Sequence, residues 1–231
     1  MSWLLLVLAF APGFAWLYFY LKEDPHPEPR WLVVMTFMSG AAFAVLALAL
    51  QLLLENAGIG IRPLVLISTG ATTQVVIAVL VLAVIEELLK FTSAYVVVYN
   101  KPDFDEPIDA MIYMVVAALG FATLENFGAI FPRNALPVAS MMFETMALRF
   151  VGATLLHTLT SSLVGYSWAR TIREFGHKRH LIYGLALATI LHAFFNYLII
   201  SYGNLMYTLV FVIVIGLFVL ADFEKLKEKI L

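Results

Sequence analysis

The chain has no cysteine. Disulfides, thiol nucleophiles, thiolate metal sites and palmitoylation are therefore excluded, and the redox compartment is left open. Charge is also scarce. Only 13% of the 231 residues are charged and 62% are hydrophobic, whereas soluble domains carry about 25% charge. Mean hydropathy is +0.92. Too little polar surface remains to cover a water-soluble globule, so the sequence reads as an integral membrane protein. The 14 basic and 16 acidic residues leave a net charge of −2 with no basic tract, which argues against a nucleic-acid partner. No repeat and no low-complexity stretch is present.

A membrane-spanning helix needs about 20 mostly apolar residues. Seven such runs are present, at 3–21, 31–54, 73–99, 108–131, 138–169, 181–202 and 205–221. Turn signals separate them, including Asp24-Pro25-His26-Pro27-Glu28-Pro29 and Lys101-Pro102-Asp103. None is long enough to link domains, so residues 1–231 read as one membrane domain. The first run lacks a positive n-region and an A-x-A cleavage site, so it reads as a helix rather than a signal peptide. Pro12-Gly13 is expected to kink it. The fifth run has room for an interfacial turn at its start.

Cationic loops set orientation. With the N-terminus outside, Lys22, Arg30, Lys101, Arg170, Arg173, Lys178, Arg179, Lys225, Lys227 and Lys229 fall on the cytoplasmic side, and Arg62 and Arg133 fall outside. That bias supports about seven helices with N-out/C-in topology. Merging the last two runs would carry Lys225, Lys227 and Lys229 outside.

The informative residues are those that interrupt apolar runs: Glu86, Glu87, Lys90, Glu125 and Arg149, with His157, His192 and Asn196. A charge at the membrane centre costs roughly 2.5–3.5 kcal/mol on insertion scales, so such residues face the bundle interior and pair there. Glu86 and Lys90 are spaced i, i+4 in the favourable order for an ion pair. Glu87 lies about 100° further round the helix, so two carboxylates can face one polar pocket with Lys90 as counter-ion. A pure packing device needs no second glutamate. Glu125 follows the small residues Ala117, Ala118, Gly120 and Ala122, which permit close helix approach. Thr154, His157, Thr158 and Ser161 form one polar stripe, and His192 and Asn196 share a face one turn apart. Arg149 reads as structural, either capping the external end of that stripe or pairing with Glu144. His177 and His180 read as solvated loop residues. Asp103, Asp105, Glu106 and Asp109 favour the start of the fourth helix.

Glu86, His157 and His192 lie near the middle of their own runs, and Glu125 is slightly displaced toward the outside. Acids, imidazoles and an amide at one depth can activate water, with a glutamate taking the proton. His157, His192 and Glu125 also make a His₂Glu set suited to zinc, with Glu86 or Glu87 left as base. No H-E-x-x-H motif is present, and neither a serine-protease constellation nor an intramembrane Asp pair is evident.

Glu86-Glu87-x-x-Lys90, the string Gly120-Phe121-Ala122-Thr123-Leu124-Glu125-Asn126, the His157 helix and His192-x-x-x-Asn196 resemble the four motifs of the PrsW family of membrane-embedded proteases. That family is similar to the type II CAAX prenyl proteases. The resemblance covers residues from about 73 to about 202. It implies hydrolysis of a peptide bond in a membrane-associated protein, such as a membrane-tethered regulator, in a prokaryotic cell membrane. It implies Glu86 as general base with Glu87 and Lys90 in support, and His157 and His192 positioning water or stabilising the oxyanion. Glu125 stands where the prenyl proteases have histidine, so no role transfers to it. Metal-assisted and metal-free mechanisms both remain open. Two other readings fit mid-membrane acids and histidines. One is a non-catalytic scaffold of the same fold, and the other is a proton- or ion-coupled transporter, against which stands the absence of a repeat.

Overall fold

The computed structural model describes residues 2–24, 26–59, 72–130, 139–173, 178–202 and 205–227. Arg62, Arg133 and His177 lie outside the described residues. The described chain is all helical: α1 (Ser2–Leu21), α2 (Arg30–Asn56), α3 (Thr72–Val98), α4 (Asp109–Ile130), α5 (Ala139–Val151), α6 (Ala153–Arg173), α7 (Arg179–Tyr202) and α8 (Leu205–Lys227). The fifth run is therefore divided. The start of that run, where an interfacial turn is expected, borders residues 131–138, outside the described ones; further along, the helix breaks at Gly152, between α5 and α6. The backbone still donates across the break, from Gly152 N–H to Leu148 O at 2.9 Å and from Leu156 N–H to Gly152 O at 2.8 Å.

Local chemistry accounts for the helix ends. Pro29 precedes α2, where its fixed φ and missing N–H are tolerated. At the other end of α2, Ile59 N–H donates to Leu54 O and Gly58 N–H to Glu55 O, both at 3.0 Å. Gly58 has φ of 81°. This is a Schellman motif, and the left-handed residue is the glycine that tolerates it.

Among the described residues, five segments are long and apolar enough to cross a membrane: α2, α4, the α5–α6 stretch, α7 and α8. Of the other two, α1 offers the shorter apolar stretch Leu6–Leu21, and α3 carries Glu86, Glu87 and Lys90 in its second half. Helix α1 continues through Pro12. Large apolar side chains such as Val34, Met38 and Val45 on α2 and Ile213, Leu217 and Phe218 on α8 face outward. Such a surface would be an aggregation hazard in water and is the natural face toward lipid.

Helix α4 is the axis of the bundle. Every residue from Asp109 to Thr123 is buried, as expected for a helix apolar all round. It packs against α1, α2, α3, α5 and α6. Two glycines permit the closest of these approaches. A Cβ on Gly120 would overlap the Phe37 carbonyl of α2, and one on Gly40 would overlap the Ala117 carbonyl of α4. The two backbones are thus in direct contact, the small-residue solution to helix packing where water supplies no hydrophobic drive.

The loops expected on the cytoplasmic side meet at one end of the bundle. His26, between α1 and α2, bonds Glu106, between α3 and α4, with Nδ1 to Oε1 at 2.8 Å. Lys101 lies 5.4 Å from the centroid of the Trp31 ring. Lys178, before α7, lines a cavity with Asp105 and Glu106. Asp109 accepts the Asp105 and Glu106 N–H groups at 2.9 and 2.8 Å, so it ties down the turn that leads into α4. His180 is half-buried rather than fully solvated.

Candidate active site

The charges interrupting the apolar runs converge. Helix α3 contributes Glu86, Glu87 and Lys90, all buried on its inner face. Helix α6 contributes His157, and α7 contributes His192. Helical geometry selects which neighbours meet. Lys90 donates to Glu87 Oε1 at 2.5 Å, an i, i+3 pair, so the expected Glu86–Lys90 pair is corrected to Glu87–Lys90. Glu87 Oε1 also accepts His192 Nδ1–H at 2.7 Å and the Thr160 hydroxyl at 3.2 Å. Three donors thus converge on one oxygen of a fully buried carboxylate. Glu87 Oε2 has no hydrogen-bond partner among the described residues.

These contacts assign the imidazole protons. With Nδ1 of His192 donating to Glu87, the neutral ring carries its lone pair on Nε2, which lies 3.6 Å from Glu86 Oε2. The ammonium of Lys90 donates to His157 Nδ1 at 3.1 Å. His157 therefore carries its proton on Nε2 and donates it to Glu125 Oε2 at 3.0 Å. The two rings stand edge to face with centroids 5.0 Å apart.

Glu125 also accepts Arg149 Nη2 at 3.1 Å, and Arg149 Nε donates to Asn126 Oδ1 at 2.5 Å. Arg149 is thus paired with Glu125, which corrects the expected pairing with Glu144, an exposed residue of α5. Asn196 is half-buried and takes no part in the hydrogen-bond network among the described residues.

Two participants carry no sequence signal of comparable strength. Gln51 of α2 donates to Glu86 Oε1 at 3.2 Å. Thr160 follows His157 by three residues and so shares its helix face, yet the polar stripe read from the sequence passes through Thr158 and Ser161. Thr158 instead pairs with the hydroxyl of Tyr20 at 3.1 Å.

Among the described residues, Glu86, His157 and His192 each offer one ligand atom, all within 4.8 Å of one another. Glu86 thus takes the place expected for Glu125 in the ligand set. One carboxylate and two imidazoles form a donor set suited to a divalent metal. The Glu87–His192 bond is the outer-shell contact that orients a ligating imidazole. The set fits a metal through Glu86 Oε2 and His192 Nε2 directly, while His157 must exchange Lys90 or Glu125 to join them.

Residues 28–221 match the PrsW-protease family, described as PrsW family intramembrane metalloprotease. The chain belongs to this family. It is therefore a protease of the membrane, and its substrates are proteins in that setting. Among relatives, it is 29% identical to Protease PrsW of Geobacillus kaustophilus over 193 residues, covering 83% of this chain and 77% of that one. Protease PrsW of Bacillus subtilis is 28% identical over 203 residues, with 85% and 83% covered. Protease PrsW of Clostridioides difficile is 25% identical over 228 residues, with 96% and 90% covered. No solved structure matches.

Proposed function

We propose that this PrsW-family protease cleaves a peptide bond in a membrane-associated protein at the Glu86–His157–His192 cluster, using water that Glu86 deprotonates. The observation that carries this reading is the convergence of those three side chains from three helices. Glu86 Oε2 and His192 Nε2 stand 3.6 Å apart, too long for a hydrogen bond between them and close enough for both to hold one water. Glu86 receives its proton, and the buried setting strengthens that interaction. Glu87 and Lys90 hold His192 and His157 in fixed tautomers. Asn196, one turn from His192, is assigned to the carbonyl of the bound substrate. Zinc held by Glu86, His157 and His192 would supply Lewis-acid polarisation and a more acidic water; with Glu86 taken up as a ligand, the base would be Glu87, the other glutamate of the cluster, whose Oε2 has no hydrogen-bond partner among the described residues.

The ten-to-two cation bias and the meeting of three loops at one end support N-out/C-in topology with seven spans, α5 and α6 counting as one. On this reading residues 1–231 are a single membrane domain with the site buried mid-membrane.

The test is reconstitution with a single-span substrate. Glu86→Gln and His157→Ala are each expected to abolish cleavage while thermal melting in detergent shows a folded protein. Full cleavage by either folded variant would overturn the assignment.

A further inference from the structure

Gly128 lies in the last turn of α4 and is exposed. Unlike Gly40 and Gly120, it is not packed against a neighbouring backbone: a Cβ built on it meets nothing within 4 Å among the described residues. The space beside it is part of a cavity of about 260 Å³ between α2 and α4, lined on its apolar side by Ala44, Ala47, Phe121 and Leu124. Its polar lining is Gln51, Glu125 and Arg149. Each of these touches the active site, Gln51 by donating to Glu86 Oε1 and Arg149 by holding Glu125, which in turn accepts from His157.

We propose that this cavity is the specificity pocket of the protease and takes one bulky apolar side chain of the substrate, from the residue next to the scissile bond. The inference rests on the catalytic reading above. At about 260 Å³ the cavity is smaller than the roughly 300–1,000 Å³ of small-molecule sites, which suits a single side chain. Its walls are apolar, and its polar floor is one residue removed from Glu86, so a peptide bond presented to Glu86 places a neighbouring side chain here. Gly128 adds no side chain to the lining, and Ala44 and Ala47 add only a methyl group each.

The test uses full-length protein reconstituted with single-span substrates that carry Ala, Leu or Phe at each position flanking the cleavage site. Wild type is expected to prefer Leu or Phe at one flanking position. Gly128→Ala is expected to melt at the same temperature as wild type or higher. Gly128→Leu is expected to cleave the Ala substrate within about twofold of wild type and the Leu or Phe substrate at least about tenfold more slowly, the scale of apolar pocket discrimination. Equal effects of Gly128→Leu on small and bulky substrates, or no effect on either, would overturn the pocket and leave the protease reading intact. Wild-type cleavage that Glu86→Gln does not diminish would overturn the catalytic reading, and the pocket with it.

Discussion

Glu87 and His192 are joined by a 2.7 Å hydrogen bond across the interface of α3 and α7, from Nδ1 to Oε1. The same oxygen holds the Lys90 ammonium at 2.5 Å. Lys90 is completely buried, and this carboxylate is its ion-pair partner. Removing one partner of a buried pair costs about 3–5 kcal/mol. Glu87→Gln should therefore lower the melting temperature markedly and abolish cleavage. The double variant Glu87→Gln/Lys90→Met should recover most of the stability and none of the activity. Equal instability of the single and double variants would show that the charge pair is not what the fold depends on.

The outline of this site was legible because ionised groups are costly in apolar runs and so announce themselves. Glu86, Glu87, Lys90, Glu125, His157 and His192 all stood out on that ground, and the structure gathers them. Gln51 and Thr160 did not, since a neutral amide or hydroxyl in a helix costs little and signals little. The pairings were less legible than the membership. Helical spacing admits both i, i+3 and i, i+4 partners for Lys90, and packing across helices selected the first. Arg149 met Glu125 rather than Glu144 because its partner comes from another helix, which local spacing does not encode. The break at Gly152 was hidden inside a run that reads as one span, where glycine is its sole mark.

Direct backbone contact between α2 and α4 makes Gly120 intolerant of a side chain. Its Cβ would overlap the Phe37 carbonyl, and a backbone atom cannot swing aside as a side chain can. Overpacking of this kind costs about 1–3 kcal/mol or more. Gly120→Ala should destabilise the protein in detergent melts, whereas Gly128→Ala on the same helix should not. The contrast between the two variants is the measurement, because both make the same chemical change.

Arg149 uses two nitrogens in fixed geometry, Nε on Asn126 and Nη2 on Glu125. Lysine keeps the charge and lacks the fork. Arg149→Lys should cost about 1–2 kcal/mol, a figure held down because the Arg149 and Glu125 side chains are 21% and 29% exposed. Cleavage should fall further than stability does, since Glu125 also fixes the His157 ring. Comparing melting temperature with kcat across Arg149→Lys and Arg149→Met separates the two effects.

The Glu86–His157–His192 donor set leads to a direct analytical expectation. Purified protein should contain about one equivalent of zinc, and His192→Ala and Glu86→Gln should each reduce that content sharply. Zinc in folded protein unaffected by either substitution would place the metal elsewhere.

At the loop end of the bundle, Glu28 accepts a hydrogen bond from the Tyr113 hydroxyl. Burial is the main cause that pushes its carboxyl from the ordinary 4.5 up to about 9, with the nearby Asp109 and Asp24 adding to the rise. Burial also raises Asp24. An acid raised on folding binds a proton in the native state that the unfolded chain has already lost. Its contribution is complete below about pH 4.5, declines as pH rises and is gone above about 9. One proton sets the ceiling, about 1.4 kcal/mol per pH unit, and partial exposure of Glu28 lowers it. Stability in detergent should therefore fall between pH 5 and 9, and Glu28→Gln, which keeps the acceptor for Tyr113 and removes the titration, should flatten that slope. Parallel stability profiles for wild type and Glu28→Gln would show that another group carries the dependence.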